Sequence, residues 1–238
     1  MNLFYSPNIN EFDQEIIFFG QENIHLSKVL RKKSGDTVSV TNGKGFLFNC
    51  VILESDKKKS ILKILNYSKI NNDHAKLKVG ISLTKKIDRF EWFLEKSTEI
   101  GVFEITPIIT QNSERRKFNQ ERGNKILLAA MKQSLRCELP ILNNPVLFSD
   151  YLSNSKDSYD SYVATCYNNE TMMLNKTLAK GNHSEIIIGP EGGFTKQEIK
   201  DAVSNEFLPI SLGPRILRTE TAPLAILSLL QYKYGDFA

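Results

Sequence analysis

Three cysteines and three histidines in 238 residues leave little material for a disulfide framework or a metal centre. Cys50, Cys137 and Cys166 are odd in number, widely spaced and free of any C-x-x-C pattern, so they read as buried thiols of a reducing compartment. His25, His74 and His183 show no ligand spacing, and no metal is expected. No apolar run approaches the roughly 20 residues needed to cross a bilayer. The opening Met-Asn-Leu-Phe-Tyr-Ser-Pro lacks the basic start and apolar stretch of a secretory leader, so a cytoplasmic protein with no membrane partner is expected. Neither a phosphate-binding G-x-x-x-x-G-K-[ST] loop nor a dinucleotide G-x-G-x-x-G fingerprint occurs, which argues against phosphate chemistry.

Charge is nearly balanced, at +4 overall. That permits nucleic acid as a partner without demanding it. The basic residues are nevertheless grouped: Lys28 with Arg31, Lys32 and Lys33; Lys57 to Lys59; and Arg115, Arg116 and Lys117. Any one group reads as a solvated turn or helix face. Three in one small protein favour a polyanion.

Up to about Lys69 the pattern is strand-like, with β-branched and aromatic residues over Glu15 to Phe19, Asp36 to Asn42, Phe46 to Leu53 and Ser60 to Tyr67. Asn42-Gly43-Lys44-Gly45 is a hairpin signal. The spacing of Leu26, Val29 and Leu30 predicts a short helix over His25 to Lys33. A small β-barrel with one helical turn fits residues 1–70. The polar stretch Ser68 to His74 reads as a linker.

From 75 to 238 strands and helices alternate, predicting an α/β domain with a mostly parallel sheet. Strands are read at Leu77 to Thr84, Glu104 to Ile109, Tyr159 to Cys166 and Glu185 to Ile188. Helices are read at Arg89 to Ile100, Gln120 to Arg136, Thr171 to Ala179 and Thr219 to Tyr234. The middle of the last one is apolar nearly all round. It must be buried on more than one side, within its own chain or against a second subunit.

Two glycine loops lie between a strand and a helix, where open α/β sheets bind ligands. One is Gly189-Pro190-Glu191-Gly192-Gly193-Phe194-Thr195, in which Thr195 and Glu198 form a capping box. The other is Leu212-Gly213-Pro214-Arg215-Ile216-Leu217-Arg218-Thr219-Glu220-Thr221-Ala222.

With these loops the chain resembles the SPOUT methyltransferases, and among them the small-subunit (16S) rRNA uracil-N3 methyltransferases. The resemblance rests on His25-x-x-x-Val29-Leu30-Arg31, Lys86-x-Asp88-Arg89 through Lys96-x-x-Glu99-x-Gly101-Val102, and Gln133-Ser134-x-Arg136-x-x-x-Pro140. It also rests on Ile188-Gly189-Pro190-Glu191-Gly192-Gly193 and on Leu212-Gly213-x-Arg215 through Ala222. These motifs cover nearly the whole chain in order. Lys132, where the family often has an acid, and Leu135, where a glycine is frequent, depart from its pattern.

The resemblance implies an N-terminal PUA-like barrel that holds RNA and a C-terminal domain with a deep trefoil knot, an exception to the usual absence of knots. It implies S-adenosylmethionine (SAM) as cofactor, bound by Ala164, Thr165, Ile188, Gly189, Pro190, Gly192, Gly193, Leu212, Gly213, Ile216, Leu217, Arg218, Thr221 and Ala222. The catalytic candidates are Arg218 and Arg136, with Glu220 and Glu191 as proton acceptors or arginine orienters. RNA contacts fall to His25, Lys28, Arg31, Lys32, Lys33, Arg89, Arg115, Arg116, Gln133 and Arg136. The implied partners are small-subunit rRNA, or the assembled 30S subunit, and a second copy of the chain. Ribose 2′-O-methylation and a non-catalytic role as an RNA-binding ribosome-assembly factor are the alternatives.

Overall fold

The computed structural model describes residues 2–70, 76–155, 159–165, 172–173 and 183–234, with backbone alone for 172, 173 and 234. Contacts divide the chain into two compact units: Met1–Asn72 with Leu128–Leu139, and Asp73–Leu127 with Pro140–Ala238.

The first unit is built on five strands, β1 (Leu3–Tyr5), β2 (Glu15–Phe18), β3 (Thr37–Thr41), β4 (Phe46–Ser55) and β5 (Ser60–Lys69), in the order β1-β3-β4-β5-β2. Alternation sends Ile16 and Phe18 of β2, and Phe48, Cys50 and Ile52 of β4, into a core with Phe4, Leu26 and Leu62. Each such side chain stabilises the fold by roughly 1.5–3 kcal/mol. Two register shifts between β4 and β5 bend the sheet. It curls until Phe4 and Phe18, on its two edge strands, bring their rings to 5.6 Å. Burial pushes the Cys50 thiol up to about 12, and Cys137 is buried and unpaired as well. Cys166 lies outside the described residues.

Two features of this unit differ from the sequence reading. The helix starts earlier and ends sooner than His25 to Lys33: α1 (Gly20–Ile24) runs into a π-helical turn over His25–Val29. Arg31 then adopts a left-handed conformation (φ 52°), and Lys32 N–H returns to the Leu26 carbonyl at 3.0 Å, closing the helix. Second, Leu128–Leu139 groups with this unit although it lies within the 75–238 segment. Leu139 N–H donates to Gly43 O and Gly45 N–H to Cys137 O, both at 2.9 Å, so the segment docks on the Asn42–Gly45 hairpin. Such long-range pairing has no local signature.

Among the described residues of the second unit every strand pairing is parallel: β6 (Leu77–Ser82), β7 (Glu104–Ile109), β8 (Ile141–Leu142), β9 (Val146–Leu147), β10 (Asp160–Ala164), β11 (Met172–Met173), β12 (Ser184–Ile188) and β13 (Leu208–Ser211). The order is β11-β13-β10-β12-β6-β7-β8, with β9 also on β7. The helices are α2 (Ile87–Ile100), α3 (Gln120–Gln133), of which Leu128–Gln133 groups with the first unit, α4 (Phe148–Ser153), α5 (Lys196–Ser204) and α6 (Ala222–Tyr234). Helix α2 buries Phe90, Phe93, Leu94 and Ser97 and ends at left-handed Gly101. Strands β8 and β9 and helix α4 are too short to be read from the sequence. Met172 and Met173, expected within a helix, instead pair with Ile210 and Ser211 as strand β11, and the rest of that expected helix lies outside the described residues.

Helix α6 packs on α2 and β12 of its own unit. That contact buries Leu224, Ile226, Leu227 and Leu230, leaving Ala225 and Tyr232 exposed. Among the described residues no helix is long and apolar enough to cross a membrane. Nor is any group of three or more His, Cys, Asp or Glu placed to hold a metal.

Helix α3 ends three residues before the expected Arg136, because Leu135 turns left-handed (φ 59°) while Arg136 N–H reaches back to the Met131 carbonyl. A side chain in that conformation costs about 1–2 kcal/mol. Leu135 is also 44% exposed, so it gives little burial in return. Leu135→Gly, after the entropy glycine adds to the unfolded chain, is expected to stabilise the protein by up to about 1 kcal/mol in urea unfolding. A variant less stable than the parent would contradict this.

Candidate active site

Because β13, β10 and β12 are adjacent and parallel, their carboxyl ends emerge together. The loops after β12 and β13, which begin at Gly189 and Leu212, thereby flank the end of β10. The three segments line one cleft of about 700 Å³, within the range of small-molecule sites.

Side-chain-to-backbone bonds hold the first loop. Gly193 N–H closes a turn on the Pro190 carbonyl at 2.8 Å. Asn112 Nδ2 donates to the Gly193 carbonyl at 3.0 Å, and Glu191 Oε1 accepts from Lys85 N–H at 3.0 Å. Thr195 and Glu198 complete their capping box at the start of α5, and Glu198 Oε1 also accepts from Gln111 N–H at 2.8 Å. Phe194 anchors the loop in the core against Phe148, with ring centroids 5.2 Å apart. A Cβ on Gly189 would stand 3.1 Å from the Phe194 ring, so a side chain there would press on the residue that anchors the loop.

The second loop turns at Gly213 (φ 109°) and carries Ile216, which is 84% exposed. It is tied to the first by Thr219 Oγ1, which donates to the Gly189 carbonyl at 3.1 Å. Its last turn closes where Thr221 and Ala222 N–H groups reach the Arg218 carbonyl, at 2.9 and 3.0 Å.

Glu220 is 5% exposed, and its Oε1 lies 3.7 Å from Arg89 Nε and 4.0 Å from Arg218 Nη1. Glu220 Oε2 is buried without a hydrogen-bond partner among the described residues. A buried carboxylate needs compensating charge. Two guanidinium groups supply it here, one on α2 and one on the cleft rim. The Arg218 side chain is 70% exposed and so can also meet a ligand.

The cleft collects Ala164, Thr165, Ile188, Gly189, Pro190, Gly192, Gly193, Leu212, Gly213, Ile216, Leu217, Arg218 and Ala222. Thr221 is not among its lining residues. Glu191 lines it while bonded to Lys85. Sequence reasoning missed Phe194, Ile210, Ser211, Pro214 and Arg215, which also line it, although Phe194, Pro214 and Arg215 sit inside the recognised loops. It also missed Asn112, whose role depends on a contact across 81 positions that no local pattern reveals.

The expected RNA contacts divide between the units. In the first, Lys28, Arg31, Lys33 and Gln133 are exposed, while Lys32 and Arg136 are half-buried. His25 is half-buried edge-on against Phe4 at 5.7 Å. Lys132, at a position that departs from the family pattern, pairs with Glu22 at 2.5 Å. In the second unit Arg89 faces Glu220, Arg115 donates to the Lys85 carbonyl at 3.2 Å, and Arg116 is exposed.

Known proteins share this arrangement. A family model described as an RNA methyltransferase domain matches residues 71–231, and one described as an RNA methyltransferase PUA domain matches residues 25–65. The ribosomal RNA small subunit methyltransferase E of Buchnera aphidicola from Acyrthosiphon pisum is 31% identical over 97% of this chain and 91% of its own. The protein of that name from Bacillus subtilis is 30% identical over 90% and 88%. A crystal structure of the Neisseria gonorrhoeae ribosomal RNA small subunit methyltransferase E, bound to S-adenosyl methionine, superposes with a TM-score of 0.90 at 27% identity, covering 100% of both chains. A glycine-loop cleft at the carboxyl edge of a parallel sheet, likeness along nearly the full chain and the matching domain model place this chain in the RNA methyltransferase family that includes ribosomal RNA small subunit methyltransferase E.

Proposed function

We propose that this protein is a SAM-dependent methyltransferase that acts on N3 of a specific uridine in small-subunit rRNA, in the cytoplasm. The observation that carries the reading is the single cleft formed by the Gly189–Gly193 and Leu212–Arg218 loops around Ala164 and Thr165. Its chemistry suits SAM. Backbone carbonyls and amides of two loops can meet the polar edge of an adenine, and Ile188, Leu212, Ile216 and Leu217 can cover its faces. The close approach at Gly189 leaves that backbone unobstructed. The Neisseria relative was crystallised with this cofactor.

Bound there, SAM supplies an electrophilic methyl carbon on a sulfonium together with its own leaving group. The protein's task is to align the acceptor and to make loss of the N3 proton less costly. As N3 gives up its proton, negative charge spreads over the flanking carbonyl oxygens. Arg218, exposed on the cleft rim, can stabilise that charge. Glu220 serves best as the group that orients Arg218, since its Oε1 already faces two guanidinium groups. Glu191 is committed to the Lys85 amide. The exposed lysines and arginines of the first unit would grip phosphates, which positions the RNA without reading its sequence.

The finer features of the fold belong to the same reading. β13 lies beyond β10 from β12, yet the chain after it returns past Gly189, through the Thr219 bond, to pack α6 on α2. That path supports a trefoil knot. Exposed Ala225 and Tyr232 on α6 leave a surface for a second copy. Light scattering at micromolar concentration is expected to give a dimer mass, and a monomer mass would remove that element.

Three measurements test the rest. Arg218→Ala is expected to lower methyl transfer to rRNA by about 10²–10³-fold with the fold intact by circular dichroism; turnover at the parent rate would refute the role given to Arg218. Gly189→Val, which drives a side chain into Phe194, is expected to weaken SAM binding in calorimetry at least tenfold, and unchanged affinity would contradict the placement of the cofactor. Mass spectrometry of nucleosides from treated rRNA is expected to show 3-methyluridine. A ribose-methylated product would instead favour the 2′-O reading, and an absence of SAM uptake by the parent a purely RNA-binding role.

A further inference from the structure

We infer that a polar cleft on the sheet face of the first unit is a second RNA site, one that holds a single unpaired nucleotide and reads the edge of its base. The inference rests on the RNA-directed function proposed above and adds where base identity is sensed outside the methyl-transfer site. The cleft, of about 590 Å³, is lined by Asn2, Lys32, Ser39, Asn49, Leu65 and Asn66, with Thr37 and Val38. Its volume suits a nucleotide.

Three features point to that ligand. The first is a relay of side chains across three strands. Ser39 Oγ donates to Asn49 Oδ1 at 3.4 Å, and Asn49 Nδ2 donates to Asn66 Oδ1 at 2.8 Å. The relay fixes the Asn66 amide so that its own Nδ2 donors carry no partner among the described residues. A fixed asparagine amide with spare donors is suited to a base edge, and unpaired RNA bases present such edges. The second is Lys32, half-buried at the cleft and without a carboxylate partner among the described residues. Lys132 of this unit is held by Glu22, whereas Lys32 has no such bridge among the described residues and can meet an anion. Its chain neighbours Arg31 and Lys33 are exposed cations, so a phosphate chain would find three positive charges in succession. The third is Leu65, 55% exposed beside Asn66, an apolar patch on which one face of a base can lie.

These parts divide the labour of recognition. Lys32 and its neighbours attract the backbone irrespective of sequence, while Asn49 and Asn66 offer the directional contacts that sequence discrimination requires.

Fluorescence anisotropy of the full-length protein with labelled single-stranded oligo(A), oligo(C) and oligo(U) tests the assignment. Parent protein is expected to bind the three unequally. Asn66→Ala should weaken the preferred one about tenfold and bring the three together, an effect of about 1.4 kcal/mol. Lys32→Gln should weaken all three alike and reduce the slope of affinity against salt by about 1. Ultraviolet crosslinking of the parent to the preferred oligonucleotide should mark peptides of β4 and β5. Equal binding of all three by the parent, unaltered binding by Asn66→Ala, or crosslinks confined to segments that do not line the cleft would each overturn the proposal. Because these readouts involve no methyl transfer, they can fail while the enzymatic reading stands, and a parent that never methylates rRNA would sink that reading while leaving the site itself open to the same anisotropy series.

Discussion

The parallel hydrogen bonding of β13, β10 and β12 is the constraint on which the second unit's chemistry depends. Parallel neighbours must all end on one side of a sheet, and their crossovers must start there. Two loops that are separate in sequence therefore meet over a third strand end. Their glycines then matter for what they omit, since without Cβ atoms the peptide groups themselves become the surface a ligand meets.

The loops are not left to hold themselves. Asn112 and the Lys85 amide brace the first from neighbouring strand ends, and Thr219 joins the second to it. Each bond satisfies a backbone carbonyl or a loop carboxylate that would otherwise compete for a ligand or for water. Preorganisation of this kind lowers the cost of binding, because less of the loop has to be ordered when the ligand arrives. The Arg89, Glu220 and Arg218 group follows the same logic with charge in place of amides.

Much of this could be read from the chain. The limits of β7 and the end of α2 at Gly101 follow from local pattern, as does the Thr195 and Glu198 box, because each depends on residues within one turn or strand. The glycine loops were also visible, with most of the residues that line their cleft. What was illegible depends on distant partners. β1 exists because Leu3, Phe4 and Tyr5 pair with Ser39, Val40 and Thr41. β11 exists because Met172 and Met173 find Ile210 and Ser211. Asn112 looks like any loop asparagine until the fold carries it to Gly193. Leu135 is the opposite case: its sequence gives no warning of a left-handed turn, and the absent glycine becomes meaningful only beside the backbone angle.

The docking of Leu128–Leu139 onto the Asn42–Gly45 hairpin has a consequence for how this molecule can be divided. A polypeptide cut once, after β5, would carry away the hairpin but not the segment that completes it. Gly43 O would lose its donor and Gly45 N–H its acceptor, and the Thr41 hydroxyl would lose the Cys137 carbonyl that it also contacts. The first unit is thus not one continuous stretch of the chain. Gene fusion or exchange of the first unit with a relative has to transplant two stretches of sequence together.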